Sequence, residues 1–212
     1  MKSFALIVVF ISFAAFTWPS VDYQKAMEKT LATLNEASNP EQLTEVANRF
    51  ERIAQAEQDQ WLPWYYAAYA TLNAAAMKQD PPKKDPILDQ AQQYLDQALA
   101  LATDESEVVA LQGYIHTIRV TVDPATRGQE LAPLATRTLV RALKMNPDNP
   151  RALYLLGQMQ YGTAQFFGAD TSEACALIQQ AVAKYKEVTP ESAIMPTWGE
   201  ENAQRMSKQC QP

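Results

Sequence analysis

The chain has 212 residues and a formal net charge of −6, with 24 acidic against 18 basic side chains and a single histidine. Its densest basic spot, Lys83-Lys84, is flanked by Asp80 and Asp85, so it lacks the cationic patch a polyanion needs and no nucleic acid partner is expected. Two cysteines and one histidine are too few for a tetrahedral zinc site built on those ligands, and there is no D-x-D-x-D-G calcium loop. No metal and no cofactor is expected.

Residues 1–20, "MKSFALIVVFISFAAFTWPS", place Lys2 before an apolar run over 4–16 and end in small residues. That is the layout of a secretory signal peptide, and the run is shorter than the ~20 residues a membrane span needs. Residues 21–212 are then one exported domain, periplasmic or secreted, with an uncleaved N-terminal anchor as the alternative. In an oxidising compartment Cys175 and Cys210 can bridge, tying the tail to a late helix for ~3–4 kcal/mol on the chain-entropy model. One buried cysteine and one free tail cysteine is the other reading.

Alanine, leucine, glutamine and glutamate dominate, no stretch alternates apolar and polar residues, and only six glycines and 13 prolines punctuate the chain. An all-α fold of about nine helices follows, near 22–36, 41–57, 61–78, 86–102, 105–122, 129–145, 150–166, 171–187 and 198–209. Asn39-Pro40, Asp85-Pro86 and Asn149-Pro150 have the form of an N-cap followed by a proline at the first helical position. Asp104/Glu107, Asp170/Glu173 and Thr197/Glu200 have the spacing of capping boxes. "KQDPPKKD" (78–85) and "TVDPATRGQ" (121–129) are expected as turns, and 198–209 as a polar cap helix that Trp198 packs onto the rest.

One pattern recurs along these helices: a small residue, a large apolar one four positions on, and a small or apolar one three further. It occurs at Val46/Phe50/Ile53, Ala91/Leu95/Ala98, Ala135/Leu139/Ala142 and Ala174/Ile178/Ala181, with first residues 45, 44 and 39 apart. Such spacings put each triplet on one helix face. A second pattern precedes three of them: Trp64/Ala67/Ala68, Val109/Gln112/Gly113 and Leu153/Leu156/Gly157. A glycine inside a helix costs about 1 kcal/mol relative to alanine and is kept where another backbone comes close. Gly157 therefore marks a tight crossing.

Ala135, Leu139, Ala142 and Pro147, followed by Leu153, Leu156 and Gly157, resemble the tetratricopeptide repeat signature. The resemblance covers roughly residues 22–190 with one strong and three degenerate units, and departs in period: near 44 here against about 34 in the family. It implies a right-handed α-α superhelix of antiparallel helix pairs with a concave face. In that register Tyr65, Tyr69, Tyr114, Tyr154 and Gln158 face the groove, Tyr161 lies one turn further, and Arg151 adds a charged contact. Tyrosine suits a recognition surface because it offers apolar area and a hydroxyl at low entropy cost. The alternative is ordinary helix packing with wet hydroxyls.

No nucleophile elbow, phosphate-cradling glycine loop or Ser/His/Asp arrangement occurs, and His116 reads as a helix-packing residue, so no catalytic residue is expected. The adjacent Phe166 and Phe167 read as a hydrophobic hairpin turn or an exposed partner contact. The function expected is that of an exported, non-catalytic helical-repeat protein holding a protein or peptide partner in its groove. The alternative is a small-solute binding or transporter-accessory protein of the envelope.

Overall fold

The structure, a computed structural model, describes residues 21–210; the expected signal segment, 1–20, and its cleavage lie outside the described residues. Good helix formers and short capped joints produce nine α-helices among them: α1 (Val21–Glu36), α2 (Pro40–Ala56), α3 (Trp61–Met77), α4 (Lys84–Leu101), α5 (Ser106–Val122), α6 (Pro124–Met145), α7 (Pro150–Phe167), α8 (Ser172–Glu187) and α9 (Glu200–Gln209). A 3-10 turn, Pro81–Lys83, leads into α4, and the described residues contain no strand. Consecutive helices pack on one another, and α5 also packs against α3 on one side and α7 on the other. The fold is thus an all-α superhelix of helix pairs, with α3, α5 and α7 forming one layer and α4, α6 and α8 the other.

The small residues do what the repeat requires of them. Ala91, Leu95, Ala98, Ala135, Leu139, Ala142, Ala174, Ile178 and Ala181 are all buried. A Cβ placed on Gly157 would sit 2.7 Å from Ile178 Cγ1 and 3.0 Å from the Ala174 carbonyl oxygen, so the glycine is the crossing point of α7 and α8. One on Gly113 would sit 2.5 Å from Leu139 Cγ, which marks the same crossing between α5 and α6. The first triplet differs: Ile53 is only half-buried, and Ala54 takes the inner position with Val46 and Phe50.

The joints follow the cap chemistry in part. Asn39 Oδ1 accepts from the Gln42 amide at 2.9 Å and Asn149 Oδ1 from the Ala152 amide at 3.0 Å. Asn149 also donates through Nδ2 to Ser106 Oγ at 2.9 Å, and that hydroxyl donates to the Ala142 carbonyl at 2.9 Å. Two buried polar side chains therefore tie the end of α6 to the starts of α5 and α7 while satisfying each other.

Other expected caps are corrected. Asp85 lies in the first turn of α4 and pairs with Arg127 by two 2.7 Å hydrogen bonds. Glu105 caps α5 in place of Asp104, through the Glu107 amide at 3.1 Å. Thr171 precedes α8, with Asp170 bonded to the Ser172 amide and hydroxyl, and Gly199, at φ 103°, precedes α9. Helix α6 begins at Pro124 rather than 129, because Asp123-Pro124 is itself a cap followed by proline: Asp123 Oδ1 accepts from the Thr126 amide at 3.2 Å. Its first turns place Arg127 against Asp85, which a turn there would not do.

Cys175, in the first turn of α8, is bridged to Cys210 at the end of α9, with Cα atoms 5.5 Å apart. Between those helices, residues 188–199 leave α8 and reach back to α3. No helix among the described residues is long and apolar enough to cross a membrane.

Candidate functional site

The inner layer carries the expected tyrosines, and the chain supplies their first partner itself. Trp198 stacks on Tyr69 with ring centroids 4.6 Å apart and on Tyr114 at 6.1 Å. Its indole N–H donates to Tyr65 Oη at 2.9 Å, and its carbonyl accepts from Tyr185 Oη at 3.2 Å. The Arg151 guanidinium lies 5.9 Å from the centroids of both Trp198 and Tyr185, within cation–π range. Nearby, Tyr66 Oη donates to the Ile194 carbonyl at 3.0 Å, and Ile194 is buried in the first core cluster. Gly199 is required at this clamp: it takes φ 103°, and a Cβ there would fall 2.3 Å from Tyr185 Oη.

Burial and charge in the clamp follow from that packing. Tyr65 is fully buried, and desolvation holds its phenol well above the ordinary range. Burial pushes the Tyr114 phenol up to about 12. Arg151 is buried and committed to Glu107, through Nε at 2.5 Å and Nη2 at 2.7 Å, a two-point pair between the first turns of α7 and α5. It holds the inner layer together and braces Trp198 instead of reaching an open groove.

Beyond Trp198 the inner face stays open. A cleft of about 360 Å³ lies between α7 and α9, lined by Tyr154, Gln158, Tyr161 and Gly162 on one wall and Asn202, Arg205, Met206 and Gln209 on the other. Gln158 Nε2 donates to Tyr154 Oη at 3.1 Å, while Gln158 Oε1 is buried without a protein partner. Burial raises the Tyr154 phenol, and Arg205 pulls it the other way. Tyr161 Oη accepts from Gln165 at 3.0 Å. A Cβ on Gly162 would meet nothing within 4 Å, so this part of the wall is bare backbone facing open space.

The sequence-predicted residues thus fall into two groups. Tyr65, Tyr69, Tyr114 and Arg151 converge on Trp198, whereas Tyr154, Gln158 and Tyr161 line the cleft. Asn202, Arg205, Met206 and Gln209 were not anticipated, because a short polar helix reads as a terminal cap; Trp198 and the tail cysteine were the signals that this helix is pinned in place. His116, two residues after Tyr114 on α5, joins neither group: it contacts Gln112 on the same helix, which pairs with Gln92 on α4. The exposed Phe166 and Phe167 stack edge to face at the end of α7, and Phe167 borders a smaller hollow of about 280 Å³ with Thr136, Gln160 and Glu173.

No protein-family model matches the chain, and no curated protein matches it. Among solved structures it is similar to the HusA haemophore from Porphyromonas gingivalis, with 31% sequence identity and a TM-score of 0.80, over 89% of this chain and 92% of that one. At that identity and coverage, the chain belongs to the same family as the HusA haemophore.

Proposed function

We propose that the chain is an exported, non-catalytic haem-binding protein that holds haem in the cleft between α7 and α9. The observation that carries this reading is the likeness to a haemophore over nearly the whole of both chains. It favours a small flat ligand over the peptide partner that the groove alone suggested.

The cleft suits the chemistry. Haem is a flat, largely apolar ring with two carboxylates at one edge. Tyr154, Tyr161, Met206 and the bare backbone of Gly162 offer apolar area, and Arg205 is the cation facing the cleft, able to pair with a carboxylate. Phenol oxygens and thioethers are both recognised iron ligands, so Tyr154, Tyr161 and Met206 are the side chains placed to meet the metal. At about 360 Å³ the cleft falls within the ~300–1,000 Å³ range of small-molecule sites. Its unpartnered Gln158 oxygen fits a wall that a ligand completes. The disulfide suits an oxidising compartment outside the cytosol.

Titrating haem into the exported chain and following its absorbance tests the reading: a saturable change at one haem per chain is expected. Gly162→Leu makes the result specific. The glycine is exposed within a helix, so leucine favours the fold by up to about 1 kcal/mol while projecting into the cleft. The variant should melt higher and bind haem at least about tenfold more weakly, a loss of ~1.4 kcal/mol. A more stable variant with unchanged haem affinity would place the ligand elsewhere.

A further inference from the structure

Helix α9 forms one wall of the cleft, and its two ends are held by different means. Its N-terminal end follows the Trp198–Gly199 clamp, fixed by two tyrosine rings stacked on Trp198 and by two hydrogen bonds. The helix itself is thinly attached. Ala203 is its one fully buried residue, Met206 packs half-buried against the second core cluster, and the remaining side chains are mostly exposed. Its side-chain hydrogen bonds, Gln204 to Glu200 and Arg205 to Asn202, stay within the helix. No hydrogen bond or ion pair from an α9 side chain reaches another element among the described residues. Among the described residues the Cys175–Cys210 bridge is therefore the one strong tie at the C-terminal end of α9, and Gln209 and Met206, which line the cleft, lie beside it.

We infer that this disulfide is a redox latch on the ligand cleft: reducing it frees the C-terminal half of α9, removes Arg205, Met206 and Gln209 from the wall, and weakens ligand binding, while the Trp198 clamp keeps the rest of the fold in place. The chemistry is a two-electron exchange with a dithiol. Its thiolate attacks one sulfur of the bridge, the second thiol resolves the mixed disulfide, and the products are the cyclic disulfide of the reagent and two protein thiols. Exchange of the two protein thiols with a second disulfide, which is released as its thiols, closes the latch again. The ligand assignment rests on the haem reading; the mechanics of α9 do not.

The experiment compares the oxidised and dithiol-reduced exported chain, with free thiols counted by alkylation and mass. Amide hydrogen exchange over 205–210 should accelerate, while exchange over 194–198 and α8 stays slow. Haem, used as the probe, should bind about tenfold more weakly if the wall is in place about a tenth of the time after reduction. The double substitution Cys175→Ser with Cys210→Ser should reproduce the reduced state; if it does not accumulate folded, the reduced native sequence decides. Faster exchange at 205–210 with unchanged haem affinity overturns the latch. So does unchanged exchange with both thiols free, or loss of helicity throughout the chain, which would make the bridge a global staple. If haem binds neither form, the haem reading falls, and the exchange pattern alone upholds or overturns the release of α9.

Discussion

Three glycines on the inner helices look alike in the sequence and differ in their surroundings. A Cβ at Gly157 meets Ile178 Cγ1 and then the α8 backbone, which cannot step aside, whereas one at Gly113 meets only the side chain of Leu139, at Cγ and its methyls. Gly157→Ala should therefore destabilise by about 1–3 kcal/mol, because overpacking outweighs the gain of up to about 1 kcal/mol in helix propensity. Gly113→Ala should cost less, and Gly162→Ala should stabilise by about 0.5–1 kcal/mol. Urea denaturation of the three variants checks the order; a Gly157→Ala variant as stable as Gly162→Ala would remove the tight-crossing account. The small-residue spacing made Gly157 legible as a crossing. It could not show which partner atom each glycine meets, since that depends on the facing helix.

At the scale of elements, the seam between α4 and α5 holds an acid-sensitive contact. Gln112 Nε2 donates to Gln92 Oε1 at 2.8 Å and lies 3.1 Å from His116 Nε2, a contact that suits a neutral imidazole with its proton on Nδ1. Nδ1 is buried without a partner. Burial, with Arg119 adding to it, holds His116 below its ordinary value of 6.5. The unfolded chain then takes up the proton first as pH falls, so stability decreases from about pH 6.5 downward and levels off below the folded-state value. Urea midpoints at about pH 7.5 and about pH 5.5 should differ for the native sequence and differ less for His116→Gln, which retains a side-chain amide. Equal pH shifts in both would assign the loss to other groups. Cap-then-proline signals at Asn39 and Asn149 located helix starts correctly, and the same signal at Asp123-Pro124 was hidden by Thr126 and Gly128, which read as turn residues. Tertiary pairing of Arg127 with Asp85 settles that stretch as helix.

For the whole molecule, the family likeness and the sequence reading meet at the inner layer. The tetratricopeptide resemblance implied one face for Tyr65, Tyr69, Tyr114 and Tyr154; helical spacing by itself gave only that Tyr65 and Tyr69, four apart on α3, share a side. It was silent on what covers them, since residues 188–199 have no period and their docking depends on contacts across more than half the chain. Those contacts alter how such a stack behaves. In an open helical array each unit leans only on its neighbours, and unfolding can start at either end. Here Tyr66 is bonded to Ile194 and Tyr65 to Trp198, at sequence separations of 128 and 133. Early and late helices are thus fastened to one another, as in a ring. Trp198→Ala should cost roughly 2–4 kcal/mol, less than a fully enclosed tryptophan would. It should also speed amide exchange in α3 as well as near residue 198. Protection of α3 that ignores the substitution would mean the array still behaves as a line; if it responds, the last quarter of the polypeptide must be made before α3, in the second quarter, reaches its full strength.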